Sequence, residues 1–278
     1  MGNIVWLASY PKSGNTWVRA FLANLLADGP TPVPLDELPR YCEDEARPEL
    51  FTEVAGRPSA ALDVSEIAAL RPQAQALIAA RAQGTRLVKT HNYAGTFDGH
   101  PTHNMNVTAG AVYIVRNPLD VAVSMTHHFG IPLDAAIDRL ADEQVATAND
   151  TLFVTQFLSS WSLHVKSWAD LASERILVVR YEDLLAKPAK PFTRMARLLG
   201  LGQDRARIDR AVRHASFRSL AAMERKTGFA EARDSATPFF RQGRTNQWRA
   251  RLSRDQVQRV VAAHREQMVR FRYLPPGL

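Results

Sequence analysis

The sequence predicts an α/β fold: a single domain whose central, mostly parallel sheet is flanked by helices. Three observations point there. Four short runs, "NIVWLAS", "TRLVKT", "AVYIVR" and "RILVVR", have the Val, Ile and Leu content of buried parallel strands. Stretches with helical patterning separate them, giving the β-helix-β alternation of a sheet covered on both faces. The ends of the runs gather Lys, Arg, His and hydroxyl residues, at the strand edge where such sheets bind ligands.

The elements follow in order. The first run ends near Ala8, "SYPKSG" follows, and a helix is expected to begin at Asn15 or Thr16. That helix, "TWVRAFLANLLAD", carries Trp17, Phe21 and Leu25 on one face. Residues 29–60 hold six prolines and little periodicity, so they are expected to be an irregular excursion. Residues 61–84 are Ala-rich and expected to be helical. "TRLVKT" then leads to His91. "AVYIVR" hands over at Arg116 and Asn117 to "NPLDVAVSMTHHFG", a helix with Pro118 in its first turn and Gly130 beyond its end. "RILVVR" is followed by Tyr181, Glu182 and Asp183, the last suited to cap a helix. The C-terminal third reads as helices around a polar loop at 225–247. With no repeat and no linker, residues 1–278 are expected to be one domain.

Lys plus Arg number 35 against 28 Asp plus Glu, a formal charge of +7. That excess suits an anionic ligand, a nucleic acid or an acidic membrane surface, and equally suits solvated Arg-rich helix faces. Cys42 is the only cysteine, which excludes an internal disulfide and a thiolate zinc cage and is compatible with a reducing cytoplasm. No apolar run approaches the roughly 18 residues of a membrane span. The start lacks the basic region of a secretory signal, and "MGNIVW" resembles a myristoylation site but has Trp6 where a hydroxyl residue belongs. The expectation is a cytoplasmic protein without stable membrane insertion. The Arg-rich C-terminal helices lack interleaved aromatics, so nucleic acid is not the expected partner.

"SYPKSGNTW" joins a strand to a helix N-terminus, whose N–H groups and dipole favour a phosphate. Gly14 permits close backbone approach, Ser13 and Thr16 supply hydroxyls, and Lys12 supplies a mobile charge. Unlike the common nucleotide-hydrolase loop, it places its lysine before its only glycine. The string also fits an ordinary turn capped by Ser13 or Asn15, with Lys12 in solvent. Arg116, always charged and forked, is a second anion station, with the Ser124 hydroxyl eight residues on. Alternatively, Arg116 pairs with Asp120 and Ser124 bonds its own helix. His91, ending a strand after Lys89, is the candidate base among eight histidines, since an imidazole takes up a hydroxyl proton near neutral pH. The plain alternative is a structural histidine at a strand end. His127 and His128 read as helix-end residues. His100 and His103 lack a third metal ligand at sensible spacing.

"YPKSGNTW", "LVKTH", "VRNPLDVAVS", "VVRYEDL" and "FFRQG" followed by a tryptophan resemble, in order, the motifs of sulfotransferases that use 3′-phosphoadenosine 5′-phosphosulfate (PAPS). The resemblance runs from about residue 4 to residue 250 and implies a phosphate-loop nucleotide-binding-like fold. It implies that Lys12, Ser13, Gly14, Asn15 and Thr16 hold the 5′-phosphosulfate and that Trp17 stacks on adenine. It implies that Arg116 and Ser124 hold the 3′-phosphate, that Tyr181 and Phe217 neighbour adenine, and that Arg241, Gln242 and Gly243 clamp the 3′-phosphate. The bisphosphate PAP is then the product and no metal is expected. Gln242 stands for a lysine, Asn15 for a threonine, "NQW" for "GDW", and Ala215 where a hydroxyl often meets adenine. These departures bear on cofactor affinity.

The implied reaction is in-line sulfuryl transfer to a hydroxyl or amine of a small-molecule, lipid or glycan acceptor. His91 is then the base, Lys12 stabilises charge on the bridging oxygen, Lys89 orients the sulfuryl oxygens, and Ser124 steers Lys12. The rivals are a Mg-dependent small-molecule kinase and a non-catalytic nucleotide-binding protein. A kinase needs an acid at a strand end to hold its cation, and Glu182 and Asp183 are the only acids expected near a strand end. The acceptor is expected along 28–84, with Leu35, Leu38, Tyr41 and Phe51, or along 129–157. No dimer motif is evident, which leaves the oligomeric state open.

Overall fold

A computed structural model describes residues 3–171, 173–202, 204–232 and 238–278. The start of the myristoylation-like run, Met1 and Gly2, and positions 233–237 of the polar loop lie outside the described residues. In chain order the elements are β1 (Ile4–Ser9), α1 (Asn15–Ala27), α2 (Leu38–Tyr41), β2 (Cys42–Asp44), α3 (Pro48–Ala55), α4 (Val64–Arg81) and β3 (Arg86–Thr90). Then come β4 (Thr96–Phe97), β5 (His100–Pro101), β6 (Thr108–Val115), α5 (Pro118–Phe129), α6 (Leu133–Ala141), α7 (Trp161–Ala169) and β7 (Ile176–Arg180). Five helices finish the chain: α8 (Tyr181–Ala186), α9 (Ala189–Leu198), α10 (Arg205–His214), α11 (Phe217–Thr227) and α12 (Arg254–Arg270).

The chain packs as two compact units, one of residues 1–10, 42–113 and 142–178, the other of 11–41, 114–141 and 179–278. Sheet order is β2-β3-β1-β6-β7, with β1–β3 and β2–β3 parallel. Every residue of β1 is buried, so its run of apolar side chains meets packing on both faces. Trp6 joins that core because its Nε1–H donates to Thr108 Oγ1 at 2.8 Å. The first unit's core continues through Phe51, Phe157, Trp161 and Trp168.

The helices of the second unit start and stop as their sequences direct. Asn117 caps α5 by accepting from the Leu119 N–H, Pro118 fills the first turn, and Gly130 closes the helix at φ 65°. Outside that unit, Asp63 and Glu66 form a reciprocal capping box that starts α4.

Residues 29–60 differ from the irregular excursion expected. They contain α2, α3 and the edge strand β2. The strand escapes sequence patterning because it is three residues long, reads Cys-Glu-Asp, and lies between Pro39 and Pro48. Its position matters, because pairing places Asp44 opposite Lys89.

Candidate functional site

The loop after β1 belongs to the second unit from Pro11 onward. Lys12 (φ 67°) and Gly14 (φ 101°) both take positive φ, which turns the chain sharply into α1. Gly14 is the N-cap and no side chain among the described residues caps the helix, so the turn is not the capped one that Ser13 or Asn15 would make. The Ser13 side chain is fully buried and its Oγ has no hydrogen-bond partner among the described residues. A Cβ on Gly14 would lie 2.6 Å from Cδ2 of Tyr181, so the backbone here rests directly on that ring. Thr16 is otherwise engaged: its hydroxyl donates to Glu231 at 3.2 Å, and Arg19 pairs with the same carboxylate.

Tyr181 is the hub of this unit's cationic cluster. The Arg116 guanidinium lies over its ring at 4.3 Å, and Trp17 meets it edge-on at 5.7 Å. Burial, the largest influence, raises the Tyr181 pKa, with the Arg116 charge opposing. Arg116 is 6% exposed. It donates through Nη1 to the Lys12 carbonyl at 2.9 Å and through Nη2 to the Arg244 carbonyl at 3.4 Å, while Nε has no partner among the described residues. The pairing of Arg116 with Asp120 is absent among the described residues. Asp120 instead accepts the backbone N–H groups of Asn246 (2.7 Å) and Trp248 (3.1 Å), pinning the Arg241–Gln242–Gly243 segment to the start of α5.

Within that segment Gly243 sits at φ 56°, and a Cβ there would meet the Phe217 ring at 2.4 Å. Arg241 donates to Gln247 Oε1 at 2.6 Å. Its pKa is lowered first by burial and then by the charges of Arg251, Arg244 and Arg116, the signature of several cations in one place. Ser124 is half-buried on α5 and makes no hydrogen bond to Lys12 among the described residues. The Lys12 ammonium lies instead 4.2 Å from the centroid of the Phe239 ring.

The first unit holds His91 and Lys89. His91 Nδ1 is 2.7 Å from the Ser9 carbonyl, which can only accept, so this nitrogen carries a proton, and in the neutral form of the ring the lone pair is on Nε2. The His91 carbonyl accepts in turn from Nε2–H of His164 at 3.1 Å, and His164 Nδ1 accepts from the Tyr113 hydroxyl at 2.9 Å. Burial, before any neighbouring charge, pushes the His164 pKa down to about 3, so the ring is neutral. Lys89 is committed to Asp44 at 2.6 Å, with its ammonium 5.7 Å from the Phe153 ring. Next to Asp44, Glu45 is 1% exposed and accepts from Gln75 and Asn92, both at 2.6 Å, and from Thr90. Arg71, fully buried, lies 3.4 Å from the same carboxylate.

Several expectations are corrected here. Glu182 and Asp183 are not the only acids at strand ends, since Asp44 and Glu45 lie at the end of β2. Asp183 is not a cap; it lies inside α8, accepting from Arg180 at 3.1 Å. Glu182 holds the chain after Arg116, accepting from the Asn117 N–H at 3.1 Å and the Tyr273 hydroxyl at 2.6 Å. Leu35, Leu38 and Phe51 are buried core residues, leaving Tyr41 alone of those four with appreciable exposure. From the second acceptor stretch, Leu152 (70%) and Phe153 (38%) are exposed. The residues that pattern reading missed are Asp44, Glu45, His164 and Phe239. Asp44 and Glu45 carried a signal as adjacent acids after a proline-rich stretch, and Phe239 as the first residue of "FFRQG".

The sulfotransferase-domain profile matches residues 3–272. The chain belongs to the sulfotransferase family. This sulfotransferase is 27% identical to mouse sulfotransferase 1B1 over 272 residues, covering 96% of its own length and 83% of the relative's. It is 25% identical to rat sulfotransferase 1A1, covering 94% and 83% respectively. Among solved structures, mouse sulfotransferase SULT7A1 complexed with PAP aligns with a TM-score of 0.62 at 20% identity, covering 96% of this chain and 84% of that one. Retinol dehydratase in complex with androsterone and inactive cofactor PAP aligns at 0.65 and 20%, covering 99% and 83%. These structural likenesses establish a shared α/β fold. No helix among the described residues is long and apolar enough to cross a membrane.

Proposed function

We propose that this sulfotransferase moves a sulfuryl group from PAPS to a hydroxyl or amine of a small-molecule, lipid or glycan acceptor in the cytoplasm, releasing PAP. The carrying observation is the Tyr181 ring, on which Gly14, Trp17 and Arg116 converge. Two buried donors without a partner among the described residues, Ser13 Oγ and Arg116 Nε, fit a ligand with phosphate at two ends. PAPS supplies the activated sulfuryl group; the chain's residues do the rest.

In this reading Lys12, Ser13, Gly14, Asn15 and Thr16 bind the 5′-phosphosulfate. Thr16 contributes through its backbone N–H at the helix start, because its hydroxyl is given to Glu231. Trp17, Tyr181 and Phe217 border the adenine. Arg116, Ser124, Arg241, Gln242 and Gly243 take the 3′-phosphate, with neighbouring guanidiniums offsetting the charge that Gln242 lacks. His91 receives the acceptor proton at Nε2, in the tautomer that Ser9 sets. Lys12 stabilises charge developing on the bridging oxygen. Lys89, paired with Asp44, orients the sulfuryl oxygens through its remaining N–H donors.

A thermal-shift comparison tests the donor. PAP at about 100 times its Kd should stabilise by about 2.7 kcal/mol, whereas ATP with Mg²⁺ should not; the reverse result overturns the reading in favour of a kinase. His91→Ala should keep PAP binding and lose transfer from labelled donor, and retained turnover would remove His91 as the base.

A further inference from the structure

Phe239 lies outside the set of residues given roles above, yet its ring is fixed from several directions. Its backbone N–H and that of Phe240 donate to the two oxygens of Glu224 at 2.5 and 2.9 Å. Phe229, Phe240 and His128 meet the ring edge-on at 5.0, 5.1 and 5.8 Å. The Lys12 ammonium lies over its face at 4.2 Å, at the end of a side chain that leaves the backbone from a positive-φ residue.

The ring face attracts an ammonium through its quadrupole and adds no negative charge. Lys89 shows the other way to hold a lysine, a carboxylate at 2.6 Å that cancels most of the charge. For a lysine that must meet an anion, the aromatic face narrows the motion of a flexible four-carbon stem and brings no countercharge of its own. We infer that Phe239 is a positioning residue for Lys12, its ring face holding the ammonium where it engages the 5′-phosphate end of the donor. This inference rests on the proposed donor site.

The experiment is a double-mutant cycle read by calorimetry with PAP and with adenosine 3′-phosphate, which lacks the 5′-phosphate. Phe239→Leu should weaken PAP binding three- to tenfold and change adenosine 3′-phosphate binding less than twofold. Phe239→Tyr, which keeps a ring face, should stay within twofold of the parent for both ligands. In a Lys12→Met background, Phe239→Leu should have no further effect on PAP. Equal losses for both ligands, an undiminished effect in the Lys12→Met background, or tighter PAP binding by Phe239→Leu would each overturn the inference. A parent protein that binds adenosine 3′-phosphate as tightly as PAP would overturn the donor reading, and the inference with it.

Discussion

Gly14→Ala puts the backbone of the loop to a quantitative test. Two costs add at this position. An L-residue at φ 101° lies beyond the left-handed basin, a strain of about 1–3 kcal/mol. The new methyl would stand 2.6 Å from Cδ2 and 3.0 Å from Cε2 of Tyr181. That ring is 7% exposed and held by Arg116 at 4.3 Å and Trp17 at 5.7 Å, so it has little room to retreat. Overpacking of this kind costs about 1–3 kcal/mol. The sum, about 2–6 kcal/mol, should appear as a lower urea midpoint at unchanged m-value. Tyr181→Ala removes the clash and leaves the φ strain. The double variant should therefore be about 1–3 kcal/mol more stable than the sum of the single effects predicts. A Gly14→Ala protein within about 0.5 kcal/mol of the parent, or strictly additive effects, would refute the account of why this residue is glycine.

Three further outcomes follow from the buried charges. His103, His164 and His264 have pKa values pushed down to about 3, 3 and 4, in each case first by burial. Their unfolded values are higher, so the unfolded chain binds more protons and stability falls as pH drops below about 6.5. Each histidine should contribute a loss of about 1.5 kcal/mol between pH 6.5 and 5, measurable by urea titration at each pH; a flat profile would contradict their burial as neutral rings. Arg116→Gln should weaken PAP about 10- to 100-fold, from the loss of charge-assisted hydrogen bonds worth about 1.5–3 kcal/mol, with adenosine 5′-phosphate spared. Equal losses would make the arginine a brace for the Lys12 carbonyl and nothing more. Glu45→Leu strands the fully buried Arg71 together with the donors of Gln75, Asn92 and Thr90 and should cost at least about 3–5 kcal/mol, of which the Glu45→Leu, Arg71→Met double variant should recover the arginine's share only. A single variant as stable as the parent would sink the claim that this pair is a buried, coupled unit.

The α/β class with its mostly parallel sheet was legible because its strands are buried on both faces and their apolar runs are continuous, as in "NIVWLAS" and "AVYIVR". Helix limits were legible where a local residue sets them, as Asn117, Pro118 and Gly130 do for α5. β2 was not, since a three-residue edge strand is specified by the partner it pairs with and not by its own pattern. Motif residues could be named in order, but their hydrogen bonds could not. That Thr16 serves Glu231, that Asp120 pins Asn246 and Trp248, and that Lys12 lies over Phe239 depend on contacts more than a hundred positions apart in sequence. The acceptor stretch was not legible for a related reason. Leu35, Leu38 and Phe51 are apolar as pocket walls are, and composition does not separate a wall from an interior.

The short β2 strand has a consequence for how the molecule avoids its neighbours in solution. A parallel sheet that stopped at β3 would present an open border of N–H and C=O groups to other chains. β2 covers β3 and reduces the border to a three-residue edge that bears acids: Glu43 pairs with Arg47 and, at 3.2 Å, with Arg86, while Asp44 pairs with Lys89 at 2.6 Å. Protection from polymerisation and the tethering of Lys89 are thus written in adjacent letters. Replacing Glu43 and Asp44 by valines should both release that lysine and make the protein associate as concentration rises, which sedimentation would detect.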